Sequence, residues 1–290
     1  MSSAVPVRTL VAMVSLWLCW GSSFPAIRVM VATLPPLSAS GAVFLTAGIV
    51  LVAFRPRAFR ELRCRHVAIA AGVGACLLGA QGMVAVASRH LFAGTAALLV
   101  AAVPLWVVLL RAVLGERCGK GAVARVVTGF AGVAVVLVAD SGGRWSAWGL
   151  LVLAAAVTWA AGTVWAARAE TLPPPIPAAA VQLVAGGLLL LVLGAVAGEE
   201  FTPARTESWL ALADLVLVDS LAGFVLYNRL LRAAPVSLVS TYAYAVPVVA
   251  WLAGVVVLGE PFRPAVLLGA VVIVAAVAGE VRATSAKGRE

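Results

Sequence analysis

The sequence predicts an all-α integral membrane protein, with ten transmembrane helices built as two inverted five-helix repeats. Three observations carry this. Apolar runs of about 20 residues recur from end to end, the length needed to cross a hydrocarbon core of roughly 30 Å. Charged residues make up only 11% of the 290, far fewer than a soluble domain of this length carries. Finally, Pro104-Leu105-Trp106 running to Leu114-Gly115-Glu116 reads like Pro247-Val248-Val249 running to Leu258-Gly259-Glu260, each copy ending an apolar run. An odd number of spans per copy makes the second enter the membrane from the opposite side.

The elements follow in order. The first apolar run starts near Thr9 and reaches about Met30; it is too long for a signal-peptide core and has no small-residue cleavage site after it, so it is expected to stay as span one, 9–30. Pro35-Pro36 separates it from the second span, 37–54, and a basic loop leads to the third, 66–88. The third carries Gly72, Ala75, Gly79 and Gly82 on one stripe, where a neighbouring helix is expected to approach closely. The fourth, 92–113, ends in the first copy of the repeat, and the fifth is 122–140. Ser141-Gly142-Gly143 precedes the sixth, 147–167, and Pro173-Pro174-Pro175 the seventh, 177–197; the eighth, ninth and tenth are 208–228, 236–258 and 264–282. The repeats thus divide at 1–140 and 141–283, with a polar tail over 284–290 that resembles no lipidation or retention signal. The runs are apolar all round, not alternating, which selects helices over a membrane barrel.

The formal charge of +9 does not point to nucleic acid, because the basic residues sit in short loops rather than on one face. They read as topology signals. With the N-terminus in the cytoplasm, Arg8, Arg55, Arg57, Arg60, Arg63, Arg65, Arg111, Arg117, Lys120, Arg125, Arg168, Arg229, Arg232, Arg282, Lys287 and Arg289 fall inside. Arg28, Arg89, Arg144, Arg205 and Arg263 fall outside. This asymmetry places both termini in the cytoplasm, Glu116 inside and Glu260 outside. Trp145, Trp148 and Trp209 fall at outer ends, where indoles favour the headgroup layer. Cys19 and Cys76 lie within spans and Cys64 and Cys118 in cytoplasmic loops, so no disulfide framework is expected.

Trp20-Gly21-Ser22-Ser23-Phe24, the proline to Gly-Glu stretches ending at Glu116 and Glu260, and Tyr227-Asn228-Arg229 before Ala233-Ala234-Pro235 resemble the EamA-type members of the drug/metabolite transporter superfamily. The resemblance covers nearly the whole chain. It implies a ten-helix carrier with a central cavity between the halves, moving a small metabolite such as an amino acid or related or drug-like compound, often outward. The chain departs from the pattern at Trp159-Ala160-Ala161, where a second Trp-Gly pair would stand, and at Arg125, where the second half has Gly269.

Among individual residues, Asp219 stands out. It and Asp214 are the carboxylates placed within a span, and an ionised Asp at a helix centre costs about 2.5–3.5 kcal/mol, so it must face a cavity or a partner, or be protonated. Asp219 is read as a substrate anchor or proton-coupling site, the alternative being a hydrogen bond that fixes packing. Five residues apart, the two aspartates do not share a helix face. Trp17, Trp20 and Phe24 form a stripe with Ser23 beside it, and Tyr244, Pro247 and Trp251 share another face. Trp20, Ser23, Tyr244 and Trp251 are therefore cavity candidates, with core packing as the alternative for each. Gln81 joins them as a polar group within an apolar run, as ligand contact or interhelical glue. Pro104 and Pro247 each remove one backbone hydrogen bond and are read as matched helix bends suited to gating. Glu116 and Glu260 are read as helix-end or loop hydrogen-bond formers.

No metal site, Walker-type loop or catalytic triad is present in the sequence, so no cofactor is expected and the chain is read as a secondary carrier rather than an enzyme. Expected partners are a small-molecule substrate, protons as coupling ion and the lipid bilayer of the inner or plasma membrane, with no nucleic acid. A polytopic membrane enzyme or a structural membrane protein is the alternative class.

Overall fold

The computed structural model describes residues 7–54, 56–59, 62–116, 119–140, 146–223, 226–227, 229–230, 239 and 241–287. The sequence expectations on Arg55, Arg60, Arg117, Cys118, Arg144, Trp145, Asn228, Arg232, Pro235 and Arg289 lie outside the described residues. Among the described residues seven helical stretches are long and apolar enough to cross a membrane: Val7–Met30, Pro36–Phe54, Cys64–Ala87, Ala93–Val113, Lys120–Ala139, Ala147–Arg168 and Pro175–Val196. Two shorter apolar helices, Tyr242–Leu258 and Pro264–Glu280, follow.

Two of these stretches are broken. The first divides into α1 (Val7–Gly21) and α2 (Ser23–Met30). Pro25 has no amide hydrogen to give the Gly21 carbonyl, and the Ser22 and Ser23 hydroxyls donate to the Cys19 and Trp20 carbonyls at 3.0 and 2.7 Å. The helix therefore turns where the sequence reading runs it straight. After α3 (Pro36–Phe54) and α4 (Cys64–Ala87), the fourth stretch divides into α5 (Ala93–Val100) and α6 (Val103–Val113). Pro104 leaves the Val100 carbonyl without its helical donor, and the chain turns at Ala101-Ala102. Pro247, by contrast, lies inside an unbroken helix, so the two prolines occupy different local geometries.

The remaining elements are α7 (Lys120–Asp140), α8 (Ala147–Arg168), α9 (Pro175–Val196), α10 (Thr206–Asp214), α11 (Tyr242–Leu258) and α12 (Pro264–Lys287). The segment read from the sequence as the eighth span is not a plain α-helix. It runs from α10 into a wider π-helical stretch, Leu215–Ala222, that carries Asp219.

Helices α3 and α9 pack along each other, as do α7 and α12; α4 lies between α8 and α9, and α5 packs on α11. In lipid the apolar effect does not drive such pairing, so close van der Waals contact must. A Cβ on Gly187 would meet Leu45 N at 2.6 Å and Gly41 O at 2.9 Å, while one on Gly132 would meet Gly269 O at 2.9 Å. Glycine at these crossings lets two backbones touch. The Gly72–Gly82 stripe does not serve one neighbour: Gly72 faces Trp165 on α8, Gly82 faces Leu190 on α9, and the closest backbone approach of α4 is at Gly74, against Gln182. The largest core cluster centres on α5, whose residues from Ala93 to Leu99 are all buried.

These crossings yield a stability prediction. Gly187→Leu should destabilise the protein by about 1–3 kcal/mol, because the new side chain meets α3 backbone that cannot move aside. Gly79→Ala, whose Cβ finds its nearest neighbour at 3.9 Å, should stay within about 0.5 kcal/mol of the parent in thermal unfolding of the detergent-solubilised protein.

Candidate functional site

Four of the residues singled out in the sequence converge. Gln81 from α4 and Asp219 from the π-helical stretch line one recess with Ser40, Val43 and Phe44 of α3, Ile27 and Met30 of α2, and Leu215. Ser23 and Trp20 back Asp219. The Trp20 Nε1 donates to the Asp219 carbonyl oxygen at 3.3 Å, and the Ser23 hydroxyl donates to the Trp20 carbonyl at 2.7 Å. The indole can lie across the eighth span because Gly223 has no side chain there; a Cβ would stand 2.5 Å from Trp20 Nε1. The recess is narrow, about wide enough for one water molecule, and among its lining residues none is basic.

Asp214 is not among the residues that line the recess. Below Trp20, Tyr227 and Tyr242 complete an aromatic trio. Ring centroids lie 5.3 and 4.8 Å from Trp20 and 5.8 Å from each other. Neither tyrosine could be picked by helical phase, because they meet from separate segments. Ser40 was equally invisible, one of many serines in an apolar run.

Tyr244 and Trp251 go elsewhere. Tyr244 packs against the central core cluster, and Trp251 lies in a second recess with Phe92, Gly94, Thr95, Glu260, Arg263 and Val266. There Glu260 is the key residue. Its carboxylate accepts the Ala93 and Gly94 amide N–H groups at 2.6 and 3.2 Å, so it caps the N-terminus of α5, where the helix dipole also favours an anion. Arg28 Nε sits 3.5 Å from the same carboxylate, the guanidinium lies 5.0 Å from the Phe92 ring centroid, and Arg28 also donates to the Leu91 carbonyl. Glu199 does the same for α3, accepting from Leu37 and Ser38 N–H at 3.1 and 2.8 Å. Arg89 donates to the Val31 and Leu34 carbonyls at 3.1 and 3.0 Å. Arg28 and Arg89, which the sequence places near outer span ends, are also tied to protein carbonyls there.

Glu116 is bonded differently. Arg111 lies 2.6 Å from one carboxylate oxygen and Arg168, the last residue of α8, 2.9 Å from the other. Arg125, which departs from the repeat, pairs with Glu280 across α7 and α12 at 2.8 Å. Among the described residues no group of His, Cys, Asp and Glu is arranged to hold a metal ion.

The model of the EamA-like transporter family matches residues 7–138 and again 146–281. An Escherichia coli (strain K12) protein named "Uncharacterized inner membrane transporter YedA" is 36% identical over 273 residues, covering 92% of this chain and 88% of its own. A Streptantibioticus cattleyicolor protein named "Probable terminal-alkyne amino-acid exporter" is 32% identical over 276 residues, covering 93% of this chain and 92% of its own. One crystal structure aligns over 98% of this chain and 99% of its own with a TM-score of 0.65 at 23% identity, a likeness of fold.

The Glu116 cluster lies beyond the span end, where its protonation is readable. Hydrogen bonds from Arg111 first and Arg168 second hold its carboxyl below the usual glutamate range. A lowered folded value means that the pairing is complete above the ordinary value and is lost as pH falls through the lowered one. An NMR titration of Glu116 in nanodiscs should show a midpoint below that of a free glutamate. Arg168→Gln should raise it, and Arg111→Gln should raise it further.

Proposed function

The chain belongs to the EamA-like transporter family, and from that premise we propose that it is a ten-span secondary carrier moving a small organic metabolite outward across the inner membrane by alternating access. The observation that carries this reading is the meeting of Ser40, Gln81 and Asp219 in one recess between helices of the first half and the eighth span of the second. Transport sites lie at such repeat interfaces, and a membrane-embedded acid marks a substrate or ion path.

The pairing of helices supports two inverted repeats, one over 1–140 and one over 141–283. An inverted repeat brings its second span onto the seventh and its fifth onto the tenth, and α3 packs on α9 and α7 on α12. It also matches two of the unlike pairs with a second: α4 with α8 by α2 with α10, and α6 with α8 by α1 with α11. Cytoplasmic termini follow from the basic residues, since Arg57, Arg63, Arg65, Arg111, Lys120, Arg125 and Arg168 all belong to one set of helix ends.

The lining supports an amphipathic substrate with an amino group. Ile27, Met30, Val43 and Phe44 offer an apolar wall, Gln81 and Ser40 neutral hydrogen bonds, and Asp219 the one charge, which disfavours a polyanion. Amino acids and related compounds fit this set, in keeping with the exporter name carried by one relative. A membrane-embedded acid can also exchange a proton with either face, which is what supports proton coupling at Asp219. Pro104, behind the Ala101-Ala102 turn, and Pro247 within α11 are the bends on which the halves would rock.

Metabolite profiling inside and outside cells that overproduce the wild type or Asp219→Asn, matched for membrane expression, tests this. The wild type should deplete one class of solute from the cell interior. Asp219→Asn should slow that efflux at least about tenfold, equivalent to about 1.4 kcal/mol, and flatten its pH dependence. An unchanged rate and pH profile would remove Asp219 from the mechanism.

A further inference from the structure

The two Leu-Gly-Glu turns, after the fourth and ninth spans, bracket a single span. Glu260 caps the first residues of the Ala93–Val113 stretch, and Glu116 stands just past its last, so the two carboxylates sit at opposite membrane faces. Each is paired with an arginine at corresponding depth in the other copy: Glu260 with Arg28, near the end of α2, and Glu116 with Arg168, the end of α8. The family model matches from residue 7 and again from residue 146, which puts Arg28 against Arg168 and Glu116 against Glu260 to within a few positions.

Both pairs are made, in different surroundings. Glu260 takes an arginine and two helix N-terminal amides and is 6% exposed; Glu116 takes arginines alone and is 37% exposed. On the Glu260 face further ties cross between the halves. Glu199 caps α3, and the Thr33 and Ser208 hydroxyls meet at 2.8 Å, Ser208 donating on to the Val29 carbonyl.

We propose that Arg28–Glu260 and Arg168–Glu116 are the two opposed gate locks of this carrier, one at each membrane face, and that the structure is the closed state with both made. This rests on the alternating-access reading above and adds what closes each face. Each pair joins one half to the other, so a face opens only when its own pair parts. The locks act oppositely. Weakening the Glu260 lock favours opening at that face, and weakening the Glu116 lock favours opening at the other.

The test reads accessibility without needing the substrate. Ser40→Cys places a thiol in the recess, and labelling of its peptide by a membrane-impermeant maleimide is followed by mass spectrometry in right-side-out and inverted vesicles, which separates it from the native cysteines. Glu260→Gln in that background should raise the ratio of labelling from the Glu260 face to labelling from the Glu116 face about fivefold or more. Glu116→Gln should do the reverse, and the double variant should return the ratio to within about twofold of the Ser40→Cys parent. If Glu260→Gln does not reach the membrane, Arg28→Gln, which leaves the amide caps, should shift labelling in the same direction by less. Parallel shifts from both single variants, no shift, or a double variant that fails to return would overturn the proposal. Opposed shifts in a protein that moves no metabolite would leave the locks standing and remove the transport reading; efflux with parallel shifts would do the converse.

Discussion

Hydrocarbon offers no water to a bare peptide group, and this constraint organises the molecule. Wherever a helix starts or breaks within or near the membrane, its loose N–H and C=O groups must find protein partners. The chain meets the demand with side chains drawn from far along the sequence. Glu260 serves the amides that open α5, Glu199 those that open α3, and Arg89 the carbonyls that end the first span. Satisfying the backbone thereby ties the two halves together, and mostly at one face. The groups that solve a local hydrogen-bonding problem include the Glu260 carboxylate proposed above as a lock.

Between the faces the problem is contact, not polarity. Without an apolar drive for helices to associate, α3 with α9 and α7 with α12 gain stability from backbones that touch at Gly41, Gly187, Gly132 and Gly269. Against these tight crossings stands the eighth span, whose π-helical stretch is a departure from regular geometry of the kind found at functional sites. Asp219 sits on it, and the Trp20 indole occupies the Asp219 carbonyl from across the interface at a point where only Gly223 leaves room. A rigid frame of glycine crossings and one irregular helix beside the recess make a sensible division between what holds and what responds.

The span pattern was legible in the sequence because a run of apolar residues is a one-dimensional signal, and seven such runs appear as long helices among the described residues. Asp219 and Gln81 were legible for a related reason: a polar group in an apolar run is costly, so it must meet something. What it meets is three-dimensional. Helical phase correctly put Tyr244 and Trp251 on one face of a helix, yet that face looks toward the core and the Glu260 recess and away from Asp219. Tyr242 joins Trp20 instead. Proline gave the same mixed lesson, since Pro25 and Pro104 accompany breaks while Pro247 lies inside an unbroken helix.

The two Leu-Gly-Glu turns show most sharply where local information ends. Gly115 and Gly259 both adopt the left-handed backbone, with φ of 89° and 65°, and in both turns the glutamate N–H returns to a carbonyl of the helix it terminates, at 3.0 Å. The local solution is shared. Yet one carboxylate is buried on two amides and an arginine, and the other stays half in water between two arginines. Nothing in the motif distinguishes them; the distinction is supplied by how the opposite half is docked at each face. A repeated motif with one local geometry and two environments is what an inverted pair requires if the halves rock, because the two faces of such a carrier are not equivalent in any single state.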